Sequence, residues 1–204
     1  MNPDVAPPEN AADPGESPRS QSRVPYWWIL LAAVVGIAAT LIQSYERLQL
    51  ALHPNQVLLC DINGALSCSS VLESWQARAF GLPNSWIGLA VFSLFASAAV
   101  AGVTGSVLSR GYLGFLGFFS AFMLLFTLWF LWQSAFAIGA LCLYCVLIGT
   151  AVVITNAAVW RLWRREQMLP SPLAVLVDSR LDLVFWFALW AAVGIGMAVG
   201  LSSR

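Results

Sequence analysis

What this 204-residue chain has least of is charge: one residue in ten is Asp, Glu, Lys or Arg, and lysine is absent altogether. All ten basic residues are arginine, ten acidic residues balance them, and the formal net charge is zero. That balance gives no reason to expect nucleic-acid binding. Between Trp86 and Trp160 there is no Asp or Glu, and the one arginine is Arg110 at a loop. Ion-coupled transporters depend on intramembrane charges or broken helices at the midplane, and this stretch offers neither. Proline is also scarce after the beginning, since six of the ten prolines precede Tyr26. Histidine occurs once, at His53, and cysteine four times.

What is abundant is apolar. With 59% hydrophobic residues the chain has the composition of an integral membrane protein. A bilayer core of ~30 Å needs ~20 apolar residues per helix, and five stretches qualify: 26–45, 85–107, 112–136, 141–159 and 183–201. Trp27, Trp28, Trp86, Trp160 and Trp163 lie near the ends of these spans, where indoles favour the headgroup region. Residues 1–25, rich in proline and poor in large apolar groups, are expected to form a disordered cytoplasmic tail. The first span follows an acidic tail and is long for a signal sequence, so it reads as an anchor. The remaining polar residues of the spans, among them Ser93, Ser97, Thr127, Gln133 and Thr155, read as hydrogen-bond glue between helices. Gly196 and Gly200 read as a packing face of the last span.

Arginine distribution sets an expected orientation. With the N-terminus in the cytoplasm, Arg19, Arg23, Arg110, Arg161, Arg164, Arg165 and Arg180 fall inside and Arg47, Arg78 and Arg204 outside, which favours N-in and C-out. All four cysteines then face outside: Cys60 and Cys68 in the loop 46–84, Cys142 and Cys145 at the start of the fourth span. Thiols persist as disulfides in such a compartment, so two structural staples are one reading. The spacing Cys142-Leu143-Tyr144-Cys145 favours another. Residues three apart share a helix face, and the unpaired amides of the first turn stabilise a thiolate. Such pairs exchange readily, whereas a bridge closing so short a loop adds little stability. A third reading is a metal site in which Cys60, Cys68 or His53 completes the coordination of the Cys142–Cys145 pair.

The loop 46–84 is long for a helix connection and is itself a candidate functional segment. Asp61, Asn63 and Gly64 signal a turn between its cysteines. Ser70 and Glu73 fit a capping box, and Val71, Leu72, Trp75 and Ala79 recur at helical spacing until Gly81 and Pro83. The pattern predicts a short amphipathic helix over the outer mouth of the spans, holding Cys68 at the membrane surface and leaving Cys60 more exposed. That arrangement suits a relay from a partner in solution, through the loop, to Cys142. A disulfide-stapled lid is the plainer alternative. A mostly apolar pocket near Cys145 would suit a hydrophobic electron acceptor such as a quinone.

Cys60-Asp61, the seven residues between Cys60 and Cys68, the run "SCSSVLESWQARAFGL", Asn84-Ser85 entering the second span and Cys142-x-x-Cys145 opening the fourth together resemble the vitamin K epoxide reductase family, over roughly 24–159. The resemblance implies an all-α membrane protein in which the catalytic domain, 26–160, is a four-helix bundle around a quinone. It implies a membrane thiol:quinone oxidoreductase that reoxidises a DsbA-like thioredoxin-fold protein and passes electrons to menaquinone or ubiquinone, supporting disulfide formation. Cys60 and Cys68 resemble the pair that receives electrons, Cys142 the cysteine that exchanges with Cys68, Cys145 the one that delivers electrons to the ring, and Asn84 an asparagine that hydrogen-bonds a quinone oxygen. A simple helix N-cap is the alternative role for Asn84. Residues 161–182 would then be a cytoplasmic linker to a fifth transmembrane helix.

Two positions depart from relatives. Gly149 stands where animal members carry a tyrosine, which puts epoxide reduction in doubt. Many bacterial members fuse a thioredoxin-like domain after the fifth span, whereas this chain stops at Arg204, so a separate partner is expected. The contrasting class is a non-catalytic membrane metal-binding or scaffold protein whose cysteines are ligands or staples.

Overall fold

The computed structural model describes residues 22–53 and 56–202, and the expected tail lies mostly outside the described residues. Five helices are long and apolar enough to cross a membrane: α1 (Val24–Leu52), α3 (Asn84–Val103), α4 (Arg110–Gln133) with its π-helical extension to Ile138, α5 (Leu143–Arg165) and α7 (Leu181–Ser202). Between them lie two short helices, α2 (Cys68–Glu73) and α6 (Ser171–Asp178), and a 3-10 turn at Trp75–Arg78. No strand occurs among the described residues.

Helix α1 packs against α3 and α5, and α5 in turn against α4. Their shared core contains Ile29 and Ala33 of α1, Phe92 and Phe95 of α3, Leu116 and Met123 of α4, and Val152 and Val159 of α5. Close approach of α1 and α3 depends on Gly36, where any β-carbon would strike the Phe92 ring. Large apolar side chains that face outward, such as Phe118, Leu125, Phe187 and Ile195, are more than 60% exposed. On a chain of this composition that surface is the one lipid covers. Helix α7 lies at the periphery against α4, the π turn and α5. Its Asp182, fully buried, receives the Arg161 guanidinium of α5 through two hydrogen bonds of 2.9 and 3.3 Å.

Several details differ from what the sequence suggested. Ser93, Ser97 and Thr155 donate to carbonyls of their own helices rather than across an interface. The hydroxyl reaches a carbonyl three or four residues back more easily than a neighbouring helix. A true interhelical bond comes instead from Asn156, whose Nδ2 donates to Ser120 O of α4 at 3.0 Å. Gly200 packs on Ala135 and Phe136, but Gly196 meets nothing, so the two do not form one packing face. Trp163 packs on α4, its indole donating to Leu113 O at 2.9 Å and its ring lying over Gly117.

Two local features place the site. Helix α1 runs well past residue 45, because Glu46, Arg47, Leu48 and Gln49 are good helix formers and Pro54 stops the helix only later. At the end of α4 the chain widens into the π turn Ser134–Ile138 and closes on Gly139, whose φ of 80° is the left-handed conformation glycine adopts without strain. Ser134 secures this turn, accepting from the amides of Gly139 and Ala140 and donating its hydroxyl to Ala140 O at 2.7 Å.

Candidate redox site

The turn after α4 delivers Leu141 to the loop that follows α1. Leu66 and Leu141 form an isolated parallel bridge: Ser67 N donates to Leu141 O at 3.0 Å and Leu141 N to Ala65 O at 2.8 Å. In this register Cys142 directly follows the bridge on one segment, and Cys68 follows it by two residues on the other. Cys60 and Cys68 are disulfide-bonded, Cys142 and Cys145 are free thiols, and all four belong to one buried cluster with Leu50, Leu58, Val71, Leu72 and Phe130.

The loop is organised by Asp61. Its Oδ1 accepts from Ser67 Oγ and from Ser69 N, both at 3.0 Å, and its Oδ2 accepts from Leu58 N at 3.1 Å. Partial burial alone would raise the Asp61 pKa, but the hydrogen bonds from Ser69, Leu58 and Ser67 outweigh it and hold the carboxyl below the usual range. Asn63 Oδ1 closes the adjoining turn by accepting from the amides of Ala65 and Leu66. Cys60 is 2% exposed and Cys68 fully buried, so the expected exposed Cys60 is not found while the pair is oxidised. The disulfide itself draws Cys60 under the loop.

Helix α2 starts at Cys68, and its capping oxygen belongs to Ser67, not Ser70: Ser67 Oγ accepts from Ser70 N. The helix stops after Glu73, where Ser74 turns extended and the chain re-enters as the 3-10 turn. Trp75 therefore leaves the face of Val71 and Leu72, is 65% exposed, and meets the Trp129 ring at 6.1 Å.

Below the cysteines lies a cleft open on one side, between helices of the bundle, where small-molecule sites recur. Its walls are mainly apolar, with Phe80, Phe122, Phe126 and Phe130 as aromatic faces, and Cys145, Gln43, Asn84, Thr127 and Arg47 as polar or reactive members. Asn84 is not an N-cap; α3 is entered from Pro83 without a side-chain cap. Its Nδ2 instead donates to Gln76 O at 2.7 Å, while its Oδ1 is buried and has no hydrogen-bond partner. Among the described residues this oxygen is a buried acceptor left unpaired on the wall of a mainly apolar cleft.

Sequence reasoning did not single out three residues that complete the site. Gln43 Nε2 donates to Cys145 Sγ at 3.1 Å and stands 3.9 Å from Cys142 Sγ. Glu46 lies beside Cys60 and accepts the Tyr144 hydroxyl at 3.3 Å. The available signal was their spacing, because Gln43 and Glu46 are three apart on one face of a helix whose other residues are largely apolar. His53, exposed at the end of α1, is not part of the site. Among the described residues the group whose atoms are close enough for a metal is Glu46, Cys60 and Cys68, within 4.8 Å of one another, and with the disulfide closed neither sulfur is a thiolate ligand.

In comparisons with known proteins, the sequence model of the vitamin K epoxide reductase family matches residues 27–162. That stretch, well over half of the chain, runs from α1 through most of α5 and includes the four cysteines, Gln43, Glu46 and Asn84. No curated protein matches the chain by sequence.

Proposed function

Because the chain belongs to the vitamin K epoxide reductase family, and so to a class of multi-pass membrane thiol oxidoreductases, we infer that it moves electrons from a thioredoxin-fold, DsbA-like partner to a membrane quinone. The observation that carries this reading is the continuity of the cluster. The disulfide Cys60–Cys68 abuts Cys142 through the Leu66–Leu141 bridge, and Cys145 lies on the wall of the apolar cleft.

The partner's dithiol reduces Cys60–Cys68, and Cys68 exchanges with Cys142 in the Cys142–Cys145 disulfide. The electron pair then rests on Cys142 and Cys145, with the loop disulfide reformed, which is the pattern of one closed and one open pair seen here. Gln43 holds Cys145 in place through a hydrogen bond to its sulfur. When bound, the quinone supplies the oxidant, accepting two electrons and two protons. The cleft fits such a ring: aromatic walls take its faces, Asn84 has a second amide N–H for a ring carbonyl, and the unpartnered Oδ1 would accept from a ring hydroxyl. Quinones are strongly oxidising relative to dithiols, so this direction is downhill. The cysteine end of the molecule faces outside, with the arginine-rich end of α5 and Arg180 in the cytoplasm.

The test is quinone reduction in detergent, followed by absorbance, with a reduced thioredoxin-fold protein as donor and C60A and C145A alongside. Turnover by the wild type that both variants lose supports the relay. The proximity of Glu46, Cys60 and Cys68 favours one second reading, a metal-binding or scaffold protein. Absence of turnover with several quinones, together with stoichiometric bound zinc, would replace the first reading by the second.

A further inference from the structure

One buried ionisable group of the cluster has no task in the relay. Glu46 follows Gln43 by one turn of α1 and is 4% exposed. Its Oε2 lies 3.4 Å from Cys60 Sγ, its Oε1 accepts the Tyr144 hydroxyl, and the Cys68 sulfur is within 4.8 Å. No arginine is paired with it among the described residues. The other titratable groups facing it are Asp61 of the loop and Cys142 at the head of α5.

In the closed disulfide, Cys60 Sγ carries no hydrogen. The 3.4 Å contact is then a hydrogen bond only when the Glu46 carboxyl supplies the proton. A carboxyl buried without a cation is a place where a proton is held, since the ionised form has lost its water. The arrangement sets that proton against a sulfur that must leave as a thiolate when the disulfide opens. Tyr144, which donates to the same carboxyl, lies between Cys142 and Cys145 in the chain.

Resting on the thiol:quinone reading above, we propose that Glu46 is the proton donor and acceptor of the Cys60–Cys68 exchange. The donor's first thiolate bonds to Cys60 Sγ and expels Cys68 as a thiolate. Its second thiolate, having released its proton to water, closes the donor's disulfide and expels Cys60, which takes the proton of Glu46. Cys68 then attacks Cys142 Sγ and expels Cys145. Finally Cys60 returns its proton to Glu46 as it bonds to Cys68 and expels Cys142, so the electron pair has moved on and the carboxyl is recharged. Sulfur and carboxyl oxygen are already in contact, so no rearrangement is needed for either transfer.

The test follows reduction of Cys60–Cys68 alone, in the full chain carrying C142A and C145A, with dithiothreitol as donor and quenched alkylation that separates the dithiothreitol adduct on Cys60 from the free dithiol. Neither partner nor quinone is present, so failure of the quinone reading would leave this result unaffected. General acid assistance is worth roughly 100-fold or more, so E46Q should release Cys60 from the dithiothreitol mixed disulfide about 100-fold more slowly at neutral pH, and E46D should recover part of the rate. Because the protonated form assists, the wild-type advantage should shrink toward one as pH rises. Equal rates for wild type and E46Q, or a ratio independent of pH, would overturn the proposal. Should E46Q melt before the assay temperature, the ratio of wild type to E46D decides in the same way: closing with rising pH upholds the proposal, and a constant ratio overturns it.

Discussion

Gln43 Nε2 lies 3.1 Å from Cys145 Sγ, a contact between residues 102 positions apart that joins α1 to the first turn of α5. It bonds the one free thiol that also lines the cleft, and it does so from a buried position, 7% exposed, where water cannot replace it. One face of α1 thus serves both cysteine pairs, with Gln43 at Cys145 and Glu46 at Cys60.

Removing the amide isolates its contribution. A hydrogen bond to a charged group is worth about 1.5–3 kcal/mol, so Q43L should slow quinone reduction by roughly 10- to 100-fold. Opening of Cys60–Cys68 by dithiothreitol should keep its wild-type rate. Steady-state absorbance for the first and alkylation kinetics for the second separate the two steps, and an equal loss in both would rule out a role confined to Cys145.

Asn84 tests the cleft rather than the cysteines. N84A removes both the unpartnered Oδ1 and the anchor to Gln76 O. Loss of one hydrogen bond to the ring, about 1.4 kcal/mol, corresponds to a tenfold rise in KM for quinone. KM for the thiol donor should not change, and saturation curves in each substrate check this.

The loop should loosen in acid. Asp61 is held below its unfolded pKa of about 3.9, so its contribution is fully present above that value and fades as pH falls through the lower folded value. Hydrogen exchange at the amides of Leu58 and Ser69 should accelerate below about pH 4. D61A should bring the same opening at neutral pH, at a cost of about 1–3 kcal/mol for the donors left unpaired.

Gly149 is a contact point for the peripheral helix. A β-carbon there would meet the Trp190 ring of α7 and the Thr127 methyl of α4. G149A should destabilise the protein by about 1–3 kcal/mol through overpacking, and most of that cost should vanish in a W190A background. Melting temperatures of the four proteins of this double-mutant cycle measure the coupling; simple additivity would disprove the contact.

The sequence by itself determined the class of the molecule. Five apolar stretches in a nearly uncharged chain leave few alternatives to membrane helices, because only lengths of that order match a bilayer. Cysteine spacing and the run around Cys68 carried the family, as the match over residues 27–162 shows. Helix ends were less legible. Ser70 fits a cap as well as Ser67 does, and only the geometry of the Asp61 turn selects the earlier serine. Hydropathy marked the end of the first span near residue 45, although helix propensity carries α1 on to Leu52.

Tertiary structure alone decided which side chains meet. Nothing local tells Gln43 that Cys145 will be its partner, or Glu46 that Cys60 and Tyr144 will flank it, since those contacts arise from the packing of α1 on α5 and from the Leu66–Leu141 bridge. The same packing buried Cys60, which a reading of the loop as a surface element left exposed. Periodicity and composition report which solvent each segment can tolerate. They carry no information about register between segments distant in sequence, and in this protein that register sets the path from one cysteine pair to the other.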